Sequence, residues 1–158
     1  MKFEIISVGS LKESYLIEAV EEYKKRLKKY ATLKITEIKE TKLPKHERKN
    51  DIEQALLEEA QMIQTKIKDA YVIALTIEGR QYSSEKFTKK LNDIFTYHNH
   101  HIVFIIGSSH GLHDSIKKQA HQQISFSEAT FPHQLMRVIL LEQLFRAMKI
   151  KHNEPYHK

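Results

Sequence analysis

Short apolar runs alternate along this chain with stretches where apolar residues recur every three or four positions. Residues 3–8 (FEIISV) predict a strand. From Leu16, the positions Val20, Tyr23, Leu27 and Tyr30 trace one helix face. Residues 33–38 predict a weaker strand. Residues 40–51, polar and containing Pro44, predict a loop. Leu56, Ala60, Ile63 and Ile67 mark a second helix, and 71–77 (YVIALTI) a buried strand. Ser84 followed by Phe87, Leu91 and Phe95 marks a third helix, and 102–106 (IVFII) another buried strand. A short helix near 112–119, a strand at 122–126 and a long helix over 133–150 complete the series. Strands alternating with helices predict an α/β layer with a mostly parallel sheet, spanning 1–158 as one domain. The apolar runs at 71–77 and 102–106 suit a sheet centre covered on both faces.

The last helix changes the picture. Leu135, Met136, Val138, Ile139, Leu140, Leu141, Leu144, Phe145, Ala147 and Met148 cover almost its whole circumference. A helix apolar all round must be buried on more than one side. A second subunit is the economical cover, so a homodimer through this helix is expected, the alternative being a central core helix of a monomer. A charge at Leu141, taken as an outward site, is expected to give monomer or insoluble protein. Arg137 is conspicuous on this helix; Glu142 and Arg146 form an i,i+4 pair.

Composition narrows the function classes. There is no cysteine, which excludes disulfides, thiolate metal sites and cysteine nucleophiles. The stretch His98-Asn99-His100-His101 lacks regular ligand spacing and reads as a solvated loop, so no metal is expected. No apolar run approaches the ~20 residues of a membrane span. The opening Met1-Lys2-Phe3-Glu4 runs into a strand without the features of a secretory signal, so a cytoplasmic protein is expected. A surplus of 26 Lys+Arg over 20 Asp+Glu favours a polyanionic partner.

Candidate chemistry gathers late in the chain. The four glycines, Gly9, Gly79, Gly107 and Gly111, each follow a predicted strand, where the loops of open α/β sheets meet their ligands. Gly107-Ser108-Ser109-His110-Gly111, after a central strand, is the best placed; Gly9 and Gly79 equally suit plain turns. No dinucleotide or phosphate-loop glycine motif is present. The run Ser125-Phe126-Ser127-Glu128-Ala129-Thr130-Phe131-Pro132-His133 carries hydroxyls into the start of the long helix. Ser127 and Thr130 suit ligand contact, capping of the helix over 133–150 or a loop hydrogen bond. The chain finishes Glu154-Pro155-Tyr156-His157-Lys158, an aromatic, an imidazole and an ammonium together.

The block from Phe126 to His133 with Arg137, Glu142, Tyr156 and His157, the opening Val8-Gly9-x-Leu11-Lys12-Glu13 and the 107–111 loop resemble the ribosomal large subunit methyltransferase H family. That family belongs to the SPOUT methyltransferases, α/β proteins with a deep trefoil knot. The resemblance covers essentially the whole chain. It implies transfer of a methyl group from S-adenosylmethionine to N3 of pseudouridine 1915 in helix 69 of 23S ribosomal RNA, on the assembled ribosome, by a homodimer. Carried over by position, it places the cofactor at Leu75, Gly107, Phe126, Ser127, Glu128, Ala129, Thr130 and Phe131. It makes the tail residues Tyr156, His157 and Lys158 catalytic. A histidine titrates near neutrality and can take the imide proton, which points to His157, with Tyr156 for stacking and Lys158 for a phosphate. His133 is a second histidine candidate, placed to cap or pack. Ser108 stands where the family usually has glycine; a positive φ there would store strain. A transfer-RNA methyltransferase and a non-catalytic ribosome-binding protein are the alternatives.

Overall fold

The computed structural model describes residues 1–156. Five strands form one sheet: β1 (Lys2–Val8), β2 (Thr32–Ile38), β3 (Tyr71–Gln81), β4 (His101–Ile106) and β5 (Gln122–Ser125). Five helices connect and follow them: α1 (Ser14–Leu27), α2 (Lys49–Lys66), α3 (Ser84–Tyr97), α4 (Asp114–Gln119) and α5 (His133–Lys151). All pairings are parallel, in the order β2-β1-β4-β3-β5. Every strand therefore ends on the same edge, and the loops after β1, β2, β4 and β5 gather there.

Alternation within the strands decides what covers each face. Phe3, Ile5, Ile73, Ile102, Phe104 and Ile106 pack with α1, α3 and α5. Ile6, Val8, Val72, Ala74, Val103 and Ile105 pack with α2 and α4. Both sets are apolar because both faces are covered, which is why these strands read as continuous apolar runs.

Three features differ from the sequence reading. α2 starts at Lys49, inside the expected loop, because the Asp51 carboxylate accepts the Arg48 N–H at 2.8 Å and so fixes a first turn. β3 continues to Gln81, past the expected end at 77. Its pairing with β5 breaks between Leu75 and Arg80, so residues 76–79 bulge out of the ladder. Gly79 thus lies inside a strand rather than after one. A Cβ there would stand 2.5 Å from the Ile124 carbonyl carbon, so glycine lets β3 and β5 approach. The histidine stretch is not uniformly solvated. His98 packs against the Tyr71 ring at 5.5 Å, and His101 opens β4 with Nε2 3.3 Å from the Glu4 carboxylate.

Within α5, Leu140, Leu141, Leu144, Phe145, Ala147 and Met148 are buried inside the subunit. Leu135, Met136, Val138 and Ile139 are only half-buried, so the uncovered apolar surface lies in the first half of the helix. Leu141, at 0% exposure, is a core residue and not an outward one. Truncating such a leucine to alanine costs about 2–5 kcal/mol, so a charge at Leu141 tests folding, not assembly.

Candidate active site

A cavity of ≈ 300 Å³ opens where β4 and β5 end, beside the bulge of β3. Leu75 and the bulge Thr76-Ile77-Glu78 form one wall, and Ile106 to Leu112 another. Ile124 to Ser127, Ala129 to Phe131, and His133 and Met136 of α5 complete it. Of the cofactor residues expected from sequence, Leu75, Gly107, Phe126, Ser127, Ala129, Thr130 and Phe131 all line this cavity. Glu128 is exposed and is not part of the lining.

The lining is held by local bonds. Ser127 Oγ accepts the Ala129 N–H at 2.9 Å, and Ser125 Oγ donates to the Ser127 carbonyl at 2.8 Å. These hydroxyl turns fold the 125–131 loop on itself. Ser127 therefore shapes its own loop and does not cap α5, whose N-terminus has no side-chain cap. Phe126 is pinned edge-on to Phe87 at 5.8 Å.

Gly107 is required for a reason other than ligand approach. A Cβ on it would lie 2.5 Å from the Gly111 carbonyl carbon and closer still to its oxygen, so glycine is what lets this loop close. Gly111 turns with φ +86°. Ser108 has no positive φ, since Asn153 is the one non-glycine residue with positive φ among the described residues. The strain considered at Ser108 does not arise. Its hydroxyl instead donates to Glu59 Oε2 at 3.1 Å.

Glu59 escaped the sequence reading. It is 3% exposed, and its Oε1 accepts the Thr41 N–H at 3.1 Å. The carboxylate thereby ties the loop after β4 to the loop after β2. Burial pushes its carboxyl up, against the opposing pull of the Thr41 and Ser108 bonds. The signal was present: Glu59 falls three residues after Leu56 and four before Ile63, a charge on the apolar stripe of α2. Lys117 and Glu78, paired at 2.6 Å, also line the cavity and carried no sequence signal.

Beside this cavity lies a second, polar cleft of ≈ 740 Å³. It is built from the loops after β1 and β2 together with Ser109, His110, His133 and Gln134. Ser109, His110 and His133 belong to both clefts. His133 is thus placed on the partition between them. Arg137, 1% exposed, braces this corner: it pairs with Glu37 at 2.6 Å and donates to the Gly9 carbonyl.

Residues 153–156 are seated elsewhere. Asn153 turns the chain at φ +54°, and the Glu154 N–H bonds back to the Lys149 carbonyl at 2.9 Å. Glu154 accepts from Tyr30 at 2.7 Å and Lys29 at 3.2 Å, and also pairs with Lys149. Lys149, Tyr30 and Lys29 hold its carboxyl down at about 2. Tyr156 sits edge-on to Phe145 at 5.0 Å, under Arg146 at 4.9 Å, with its hydroxyl 3.4 Å from Glu142. It is not part of the cavity lining. The cavity reaches α5 only as far as Met136, which precedes Glu142 and Arg146 by roughly 9–15 Å along the axis. His157 and Lys158 lie outside the described residues.

The cavity suits S-adenosylmethionine. Leu75, Ile106, Leu112, Phe126 and Met136 offer apolar walls for a flat base. The loop backbones, Ser127 and Thr130 offer hydrogen-bonding groups, and Glu78 and Lys117 offer both charges. No group of acidic or histidine side chains positioned to hold a metal occurs among the described residues, nor any helix long and apolar enough to cross a membrane.

Known proteins match this chain along its whole length. The family model described as a predicted SPOUT methyltransferase matches residues 1–157. Ribosomal RNA large subunit methyltransferase H of Natranaerobius thermophilus is 49% identical over 158 residues, covering 99% of each chain. The protein of that name from Bifidobacterium adolescentis is 49% identical over 159 residues, covering 100% of each. Among solved structures, a probable methylase family protein from Haemophilus influenzae Rd KW20 superposes with a TM-score of 0.56 at 11% identity. That superposition covers 99% of this chain and 70% of the other, and it is a likeness of fold. With a parallel sheet whose strand-end loops enclose the cavity, and with matches of this extent, the chain belongs to the SPOUT methyltransferase family.

Proposed function

We propose that this chain is an S-adenosylmethionine-dependent ribosomal RNA methyltransferase. Its target is N3 of pseudouridine 1915 in helix 69 of 23S RNA on the assembled ribosome. The observation that carries this reading is the strand-end cavity: seven of the eight residues assigned to the cofactor by family position, scattered from Leu75 to Phe131, converge there. The relatives' names supply the ribosomal RNA.

When bound, the cofactor supplies an electrophilic methyl group on a sulfonium. The protein's task is then to position the base and to accept its imide proton. Holding nucleophile and electrophile in line supplies about 7–11 kcal/mol of the barrier. Leu75, Gly107, Phe126, Ser127, Ala129, Thr130 and Phe131 hold the cofactor in this reading. Tyr156 orients the base, His157 takes the proton and Lys158 meets a phosphate. Tyr156 of a subunit packs away from that subunit's own cavity. The tail therefore serves the cavity of a second subunit, docked on the half-buried face of Leu135, Val138 and Ile139. The trefoil knot belongs to the same reading.

The test is incubation with ribosomes lacking the modification and labelled S-adenosylmethionine, then digestion of the RNA and mass spectrometry. One methyl group on N3 of pseudouridine 1915 is expected. Label in transfer RNA would move the substrate to that class. Cofactor binding without transfer to any RNA would favour a non-catalytic ribosome-binding protein.

A further inference from the structure

The second cleft contains none of the residues assigned to the cofactor, yet it shares a wall with the first cavity. We propose that it seats the sugar-phosphate backbone of the RNA beside the nucleotide being methylated. This inference rests on the ribosomal RNA reading and adds the surface that holds the strand.

Position is the first argument. Ser109, His110 and His133 line both clefts, so a strand lying in the polar cleft runs past the mouth of the cavity. Chemistry is the second. Ile38 and Leu43 are the only large apolar residues in the lining, which otherwise carries charges and hydroxyls. Such a wall suits a hydrated polyanion rather than an apolar ligand. Charge is the third. The loop from Lys39 to Arg48 holds four Lys/Arg against two Glu, a third of the chain's net charge of +6.

The lining itself carries three lysines and three glutamates, so their pairing matters. Glu37 is engaged by buried Arg137 at 2.6 Å, and Glu47 faces His110 at 3.1 Å. Glu40 is the remaining lining carboxylate. Lys12, Lys39 and Lys42 are exposed and carry no ion pair among the described residues, so their ammonium groups are available to phosphates. Gly9, left-handed at φ +83°, keeps the floor low: a Cβ there would lie 3.6 Å from His133 Nε2 and 3.4 Å from Glu40.

The experiment compares wild type with the triple variant Lys12→Gln, Lys39→Gln, Lys42→Gln, using isolated 70S ribosomes as probe. An equal-charge control replaces Lys66, Lys68 and Lys89, exposed on other surfaces, by glutamine. Each lysine that neutralises a phosphate accounts for roughly 0.7–0.9 in the slope of log affinity against log salt. The cleft variant should therefore show a slope shallower by about 2, and a KM for ribosomes raised at least about tenfold. Its kcat should stay within about threefold, and its S-adenosylmethionine affinity by calorimetry should be unchanged. An unaltered KM and slope, or an equal effect in the control, overturns the proposal. Wild-type protein that methylates no ribosome sinks the substrate reading instead. The cleft is then scored by equilibrium binding of protein-free 23S RNA, where the same difference in slope is required.

Discussion

Gly107 and Glu59 show how single residues fix the candidate site through its loops. Replacing Gly107 by alanine drives a methyl group into the Gly111 carbonyl, so the loop must open. Gly107→Ala is expected to destabilise the fold by about 1–3 kcal/mol. It should also weaken S-adenosylmethionine at least about tenfold, which corresponds to about 1.4 kcal/mol. Calorimetry on the folded variant giving wild-type affinity would detach this loop from the cofactor. Glu59 gives a prediction in pH. Its carboxyl is pushed up in the folded state, so its contribution to stability is full below the ordinary value near 4.5 and is lost as pH rises through the raised value. Glu59→Gln can still accept from Thr41 and donate to Ser108, and it has no proton to lose. In urea unfolding, the variant should therefore gain on wild type as pH climbs from 4.5 upward. A difference that stays flat with pH would mean that burial does not shift this group. Gly107 was legible as a candidate from its place after a strand. The reason it must be glycine was not, because the colliding atoms belong to another residue of the folded loop.

At the scale of elements, α5 and β3 divide what periodicity can and cannot tell. The apolar circumference of α5 was plain in the sequence, but which side the subunit itself covers was not. The fold buries the second half against the sheet, α1 and α3, and leaves Leu135, Val138 and Ile139 half-covered. In the proposed homodimer, a charge on this first half faces the partner. Leu135→Glu with Ile139→Glu should thus yield folded monomer, because a desolvated unpaired charge opposes association strongly. Analytical ultracentrifugation checks it: an unshifted dimer would take the interface off this face. The β3 bulge is the opposite case. Residues 71–77 read as one strand, yet the ladder breaks after Leu75 and the freed residues build a cavity wall. Nothing in the apolar run marks that break. Only Gly79, by admitting Ile124, hints at it.

The whole molecule sets Tyr156 apart from the cavity of its own chain. Glu154 and Tyr156 fasten residues 154–156 to the turn after α1 and to α5, and Met136 and His133 mark where the cavity meets α5. With sites shared across a dimer, mixed dimers should separate two arrangements of damage. One lesion is Gly107→Ala and the other is deletion of residues 156–158. With both lesions in one subunit, both sites are spoiled and methyl transfer falls to background. With one lesion in each subunit, one intact site remains and about half the activity survives. Activity in the first arrangement and none in the second would assign each tail to its own cavity. The sequence by itself determined the alternation of strands and helices, the apolar faces and their order along the chain. Those depend on local periodicity and on glycine, proline and charge placed between runs. It also contained, as a resemblance, Leu75, Gly107 and most of the 126–131 run of the cavity lining, but not its Thr76-Ile77-Glu78 wall, Lys117 or Met136. The tertiary structure alone decided that Ser108 and Thr41 share a buried carboxylate. It decided that Arg137 braces Gly9, that a second cleft borders the first, and that Tyr156 packs away from both. The first two are contacts between residues 18 to 128 positions apart, fixed by strand order and helix packing, to which no local pattern in a chain is sensitive.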